Sequence, residues 1–211
     1  MTPSKYSELG VDVDKKGISS IKGVTEDLFP RSFCSVVRDP SDLGSGLILH
    51  EDGAGSKPIV SYLYFKETGD YRWFSGLAQD VLAMNLDDVI CVGGVPIAFS
   101  DYVALNTLRL EREALLSSLA SGFSGAFESL GRMGCRVLFC GGETADLPDV
   151  IRTLDVSGTV FGRVELKKVI TGDAISPGDI IVGVRSGGRC SYELRMNSGI
   201  MCNGISLARH S

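Results

Sequence analysis

Residues 73–105 read WFSGLAQDVLAMNLDDVICVGGVPIAFSDYVAL, and their reading decides the fold. Leu77, Val81 and Met84 recur at helical spacing, so Trp73–Val92 is expected to form a helix with one apolar stripe. Gly93-Gly94-Val95-Pro96 closes it, because glycine caps a helix and proline cannot continue one. Ile97–Leu105 then changes period and reads as a strand, with Asp101 set among apolar neighbours.

Working outward, Leu110–Met133 places Leu115, Leu119, Phe123 and Phe127 in register as a second long helix. Arg136–Cys140 reads as a strand, Gly141–Pro148 as the loop at its end, and Arg152–Val164 as a β-branched strand. On the other side, Ser32–Val37 is a short strand candidate and Gly46–Glu51 a better one. Asp52–Lys57 is a tight polar loop, and the apolar run Ile59–Phe65 is a further strand candidate. Asp179–Val184 reads as another strand, and Asn203–Arg209 as the opening of a helix. Strands and helices mix without strict βαβ alternation, so the fold class is α/β of the mixed α+β kind. Lys167–Gly178 is polar and carries Gly172, Pro177 and Gly178, which makes it the best domain boundary. The division expected is one domain over 1–166, with a linker and the beginning of a second over 167–211.

Composition narrows the function. The chain has 211 residues, 44% hydrophobic and 22% charged, with a net charge of −5. That balance fits a globular protein and argues against a surface that coats nucleic acid. A glycine loop or a metal ion can still bind phosphate on an acidic protein. Six cysteines without a CxxC pair, and only two histidines, argue against a zinc site. Cys34, Cys91, Cys135 and Cys140 lie in or beside apolar runs and are expected to be buried, reduced thiols. The polar start and the lack of a long apolar run argue against a secretory signal or a membrane span, so a reducing cytoplasm is expected.

Four acidic clusters can carry chemistry. In Glu51-Asp52-Gly53-Ala54-Gly55-Ser56-Lys57, Gly53 and Gly55 let backbone N–H groups approach phosphate, Lys57 can neutralise it, and Asp52 can hold a cation. The loop lacks the Walker spacing, and a plain turn between strands explains it as well. Asp80, Asp87 and Asp88 share the first long helix, where Asp87 and Asp88 are adjacent carboxylates that a divalent ion would relieve; a solvated helix end is the bland alternative. Asp101 needs a partner inside its strand, met equally by a salt bridge, an edge position or a ligand. Gly141-Gly142-Glu143-Thr144-Ala145-Asp146 adds metal-ligand oxygens beside two glycines, more than a plain turn needs. Together the clusters suggest a magnesium–nucleotide site.

These motifs resemble an ordered set. Tyr6–Asp14 (YSELGVDVD) resembles Y-x-x-x-G-V-D-[IV]-D, and Asp52–Lys57 resembles D-G-V-G-T-K. Asp80–Val89 resembles D-L-V-A-M-C-V-N-D-[IL], Pro96–Tyr102 resembles P-L-F-F-L-D-Y, and Gly141–Pro148 is similar to G-G-E-T-A-E-M-P. All five belong, in this order, to the phosphoribosylformylglycinamidine cyclo-ligase (aminoimidazole ribonucleotide synthetase) family. The resemblance implies a two-domain α/β enzyme that dimerises through the sheets of its N-terminal domains. It implies ATP and Mg2+ as cofactors and formylglycinamidine ribonucleotide as substrate, with ring closure to aminoimidazole ribonucleotide and release of ADP and phosphate. By matched position it implies Asp88, Glu143 and Lys57 as catalytic residues and Asp52, Asp88, Glu143 and Asp101 as metal ligands. Lys22, Asp52, Gly53, Gly55, Lys57, Asp87, Gly141 and Gly142 would meet the nucleotide.

The chain also departs from the pattern. Asp87 stands where the family has Asn, and Asp42–Leu47 keeps only Gly44 and Gly46 of a denser glycine run. Ile180–Gly188 resembles the opening of the family's second domain, Arg189–Met201 reads as an insert, and Asn203–Leu207 resembles N-G-Y-S-L. By this resemblance the 211 residues are expected to hold only the beginning of that second domain. Two other readings compete with the cyclo-ligase. One is a truncated, non-catalytic nucleotide-binding module that dimerises; the other is a related ATP-dependent enzyme with a different acceptor.

Overall fold

The structure is a computed structural model and describes residues 4–193 and 195–210. Two short helices come first, α1 (Lys5–Glu8) and α2 (Ile18–Lys22). β1 (Val37–Arg38), β2 (Ser45–Gly53), α3 (Pro58–Thr68) and α4 (Gly76–Cys91) follow. β3 (Val95–Leu105), α5 (Arg112–Arg132), β4 (Leu138–Asp146) and β5 (Leu154–Glu165) complete the sheet, and α6 (Ile205–His210) comes last. The strands form one sheet in the order β1-β2-β5-β3-β4. All neighbours are antiparallel except β3 and β4, which α5 joins as a crossover between parallel strands. The architecture is the mixed α/β fold expected from the sequence.

One face of the sheet carries the core. Ile48, Val156, Val160, Val164, Phe99, Val103 and Leu105 point to it and are buried against Leu77, Val81 and Val89 of α4 and Leu115, Leu119 and Phe123 of α5. At roughly 25 cal/mol per Å2 of apolar surface, stripes of this length are the main stabilising contribution. The opposite face has no helical layer among the described residues. There Leu49, Phe161, Ala98 and Leu138 fall in one register row across four strands, with Leu49 72% and Leu138 49% exposed.

Several local expectations are corrected. Ile59–Phe65 belongs to α3, not to a strand. Pro58 opens the helix and Gly69, at φ 71°, closes it, while Tyr62 and Phe65 lie three apart and pack on the core. A short apolar run is ambiguous between the two periods, and here these caps decide. Of the candidate strand Ser32–Val37, only Val37 joins the sheet, together with Arg38 just beyond it, while Ser32 makes an isolated bridge with Thr171. The long helix from Trp73 is a 3-10 turn over Tyr71–Phe74 followed by α4. Asp179–Val184 is not a strand: Ile180, Ile181, Val182 and Val184 are 80–97% exposed, with no described strand to pair them. Of the four thiols expected to be buried, Cys34 is buried and Cys135 only half-buried. Cys91, at the end of α4, and Cys140, on the edge strand β4, are exposed. All six cysteines are free.

The expected loop Gly141–Pro148 is largely strand. β4 runs on to Asp146 because a bulge absorbs one extra residue: Phe99 pairs with Phe139, but Asp101 pairs with Gly142. Gly141 takes φ 76° at that bulge, a conformation that suits glycine.

Candidate functional site

β2 and α4 build the site. His50 and Asp52 are two apart on β2, so both point to the helix-covered face. Asp88 comes down from α4, one turn after Asn85. One ligand atom from each of His50, Asp52 and Asp88 lies within 4.8 Å of the others. All three residues are half-buried.

Asn85 fixes this geometry. It is fully buried, and its Oδ1 accepts from the Asp52 N–H at 3.0 Å. Its Nδ2 donates to the Asp52 carbonyl at 3.0 Å and to the Val81 carbonyl at 2.9 Å. β1 pairs only as far as Gly46 and Leu47 of β2, so no strand borders Asp52 on that edge. Asn85 supplies the acceptor and donor that a neighbouring strand would have given.

The electrostatics favour a cation. Burial raises the Asp88 carboxyl above the usual carboxylate range; His50 and Lys15 work against this, and Asp52 adds to it. Burial also raises Asp87, helped by the Asp88 charge. His50 Nε2 lies 2.8 Å from Asp88 Oδ2, yet that buried nitrogen has no partner in hydrogen-bond geometry. The two atoms are thus within ion-pair distance but out of hydrogen-bond alignment, and both can ligate a metal. Two carboxylate oxygens and an imidazole nitrogen fit a divalent cation.

The glycine loop follows at once. The Gly53 N–H bonds Asp52 Oδ1 at 2.7 Å, and the Ala54 N–H bonds the Val156 carbonyl at 3.0 Å. Gly55 has φ 56°, and a Cβ there would stand 2.7 Å from the Cys202 carbonyl oxygen. Ser56 and Ser206 share a hydroxyl hydrogen bond at 2.9 Å, so the segment leading into α6 lies against the loop. Lys57 is paired with Asp80 at 2.5 Å, both mostly buried. Burial raises the Asp80 carboxyl, and Lys57 only partly offsets it.

The remaining expected residues lie apart. Asp101 shares the helix-covered face, but β5 stands between it and Asp52, since both pair with Gly158. Two strand spacings put their backbones about 10 Å apart. The Phe99 ring occupies the room over Gly158, where a Cβ would collide with it. Burial raises the Asp101 carboxyl, and Gly142 makes room for it, because a Cβ at 142 would run into the Asp101 carbonyl and carboxylate. Glu143 pairs with Tyr102, so it points to the open face, where its Oε1 accepts from the Thr144 N–H at 2.7 Å. Asp87 is exposed beside Asp88, and Lys22 is exposed at the end of α2. His50, Asn85 and Lys15 are the residues that sequence reasoning missed. For the first two the signal was spacing: His50 is i−2 from Asp52 on a strand, and Asn85 is i−3 from Asp88 on a helix.

No helix among the described residues is long and apolar enough to cross a membrane. Residues 34–164 match the family model of AIR synthase related protein, N-terminal domain. The chain is 34% identical over 212 residues to a phosphoribosylformylglycinamidine cyclo-ligase of Methanocaldococcus jannaschii, covering 97% of this chain and 53% of that one. It is 32% identical over 216 residues to the enzyme of the same name from Thermococcus kodakarensis, covering 97% of this chain and 57% of that one. The chain thus spans about half the length of these curated relatives. Among solved structures, AaThiL complexed with AMPPCP and TMP superposes with a TM-score of 0.50 at 18% identity, over 75% of this chain and 44% of that one, a likeness of fold. The five ordered motifs, the mixed sheet and these matches agree, and the chain belongs to the AIR synthase related protein family.

Proposed function

We propose that this chain is the nucleotide-handling part of an ATP-dependent cyclo-ligase that closes formylglycinamidine ribonucleotide to aminoimidazole ribonucleotide. The observation that carries the reading is the convergence of Asp52 and Asp88 beside the glycine loop, held by Asn85. The names of the curated relatives support this reaction over one with another acceptor.

Asp52 and Asp88 would hold the magnesium ion, which when bound supplies charge neutralisation for the polyphosphate. The N–H groups of Gly53, Ala54 and Lys57 are engaged within the protein, so phosphate contacts fall to residues 55 and 56. Lys57 reaches a phosphate oxygen only by sharing its ammonium with Asp80. Asp87, Asp101, Glu143, Gly141, Gly142 and Lys22 hold a second rank, because none joins the Asp52–Asp88 pair. In the reaction the formyl oxygen takes the γ-phosphoryl group and ADP leaves. The substrate nitrogen then attacks the same carbon, phosphate departs, and the nitrogen loses its proton. The protein's task is to position these groups and keep water out.

The apolar row Leu49–Phe161–Ala98–Leu138 supports a homodimer formed sheet to sheet, since a contiguous exposed patch of this kind marks an interaction surface. The exposed Ile180–Val184 stretch supports the division near 167, with the following residues belonging to a second domain.

Calorimetric titration with a non-hydrolysable ATP analogue, with and without magnesium, tests the site. Magnesium-dependent binding is expected, and Asp88→Ala should abolish it without lowering the melting temperature. Unchanged nucleotide affinity with a lowered melting temperature would make Asp88 structural. Ring-closure assays on a chain that includes the second domain test the reaction itself.

A further inference from the structure

We propose that His50 is a direct metal ligand and gives the Asp52–Asp88 site a preference for a manganese-type first-row ion over magnesium. This rests on the reading that Asp52 and Asp88 hold a divalent cation.

Three observations carry it. First, His50 lies on β2 two residues before Asp52, so the strand period delivers its ring to the same face and the same point. Second, His50 Nε2 is buried and without a hydrogen bond, although Asp88 Oδ2 is only 2.8 Å away. An imidazole kept only to pair with Asp88 would turn its N–H into the carboxylate, as buried polar groups do. A nitrogen and an oxygen that approach closely without that alignment instead suit two donors aimed at a common third atom. Third, Asn85 ties the β2 backbone at Asp52 to α4, the helix that carries Asp88, so the two elements that bear the three ligand atoms are held against each other.

The selectivity follows from donor chemistry. Carboxylate oxygens accept magnesium and manganese alike, whereas an imidazole nitrogen favours first-row transition ions. Magnesium also gives up its water reluctantly and gains little from a nitrogen donor. Replacing the imidazole with an oxygen donor of similar size should therefore leave magnesium binding and weaken manganese binding.

Manganese is the probe of choice, because the chain also carries six free cysteines and softer ions would bind thiolates. The 211-residue chain, freed of metal with chelator, is titrated with Mn2+ by the loss of its free-ion electron paramagnetic resonance signal, and with Mg2+ by competition. The wild type is expected to favour Mn2+, and its Mn2+ form to show spin-echo modulation from a directly bound nitrogen. His50→Gln should remove that modulation and cut the Mn2+/Mg2+ ratio by at least about tenfold, since even outer-shell partners of a metal are worth that much. Mg2+ affinity and the circular dichroism spectrum should stay as in the wild type. Asp52→Asn should lose both ions. A ratio unchanged in His50→Gln, a wild-type Mn2+ form without nitrogen modulation, or no Mn2+ binding at all would each overturn the proposal. If His50→Gln fails to fold, the nitrogen modulation of the wild type decides alone. Failure of the ATP analogue to bind a chain that keeps its nitrogen-coordinated Mn2+ would sink the functional reading and leave this one standing.

Discussion

Replacing Asn85 with alanine tests the link between fold and site. The side chain is fully buried and makes three hydrogen bonds, two to the backbone of Asp52 and one to Val81. Its removal strands the Asp52 N–H and carbonyl, and a stranded buried polar group costs about 1–3 kcal/mol. Asp52 is half-buried, so water recovers part of that, while loss of the Val81 bond and of packing adds some back. The net expectation is a destabilisation of about 2–4 kcal/mol. For a chain of this size each kcal/mol lowers the melting temperature by about 2–4 °C, so a fall of about 5–15 °C is expected in calorimetry. The variant should also bind Mn2+ more weakly than wild type, although none of the three proposed donors has been removed. A melting temperature within about 2 °C of wild type would refute the claim that Asn85 ties β2 to α4.

Two further substitutions follow from the charges. Burial holds the Asp101 carboxyl above its ordinary range. The unfolded chain then releases that proton more readily than the folded one. The cost to stability is absent below about pH 4, near the unfolded value, and grows as pH rises through the folded one. Asp101→Asn should accordingly raise the melting temperature at pH 7 and match wild type at about pH 3.5; equal melting at pH 7 would show the ionised carboxylate to be well solvated. Lys57→Met leaves Asp80 without its partner and should cost about 1–3 kcal/mol in urea unfolding, less than a fully buried pair because each side chain keeps about a fifth of its surface in water. Lys57→Met combined with Asp80→Leu should recover most of that, and a double variant as unstable as the single one would contradict it.

The parts of the fold visible in the sequence are those with a long, single period. The stripes Leu77–Val81–Met84 and Leu115–Leu119–Phe123–Phe127 carry several turns of evidence each, and both helices form close to where they were expected. Ile59–Phe65 misleads because seven apolar-rich residues satisfy either period, and the arbiter is the cap at each end. Gly141-Gly142 misleads for another reason: paired glycines usually mark a turn, but here one accommodates a bulge and the other makes room for Asp101 inside a continuing strand. In the site, Asp52 and Asp88 were readable as acidic positions in matched motifs. That they meet each other, while Glu143 faces the other side of the sheet, depends on strand order, which no local pattern carries. His50 escaped notice because a lone histidine in an apolar strand is ordinary until its neighbour across the layer is known.

Ser56 and Ser206 are 150 positions apart in the chain, yet their hydroxyls meet, and the Cys202 carbonyl presses on Gly55 beside them. The glycine loop and the start of α6 are thus in direct contact, and a ligand that alters one is expected to act on the other. A molecule that displaced the loop from this contact would weaken the seat of α6, and by reciprocity whatever holds α6 in place would change that molecule's affinity by the same factor. Hydrogen exchange at the amides of α6 would then report what occupies residues 53–57, at a distance from any ligand.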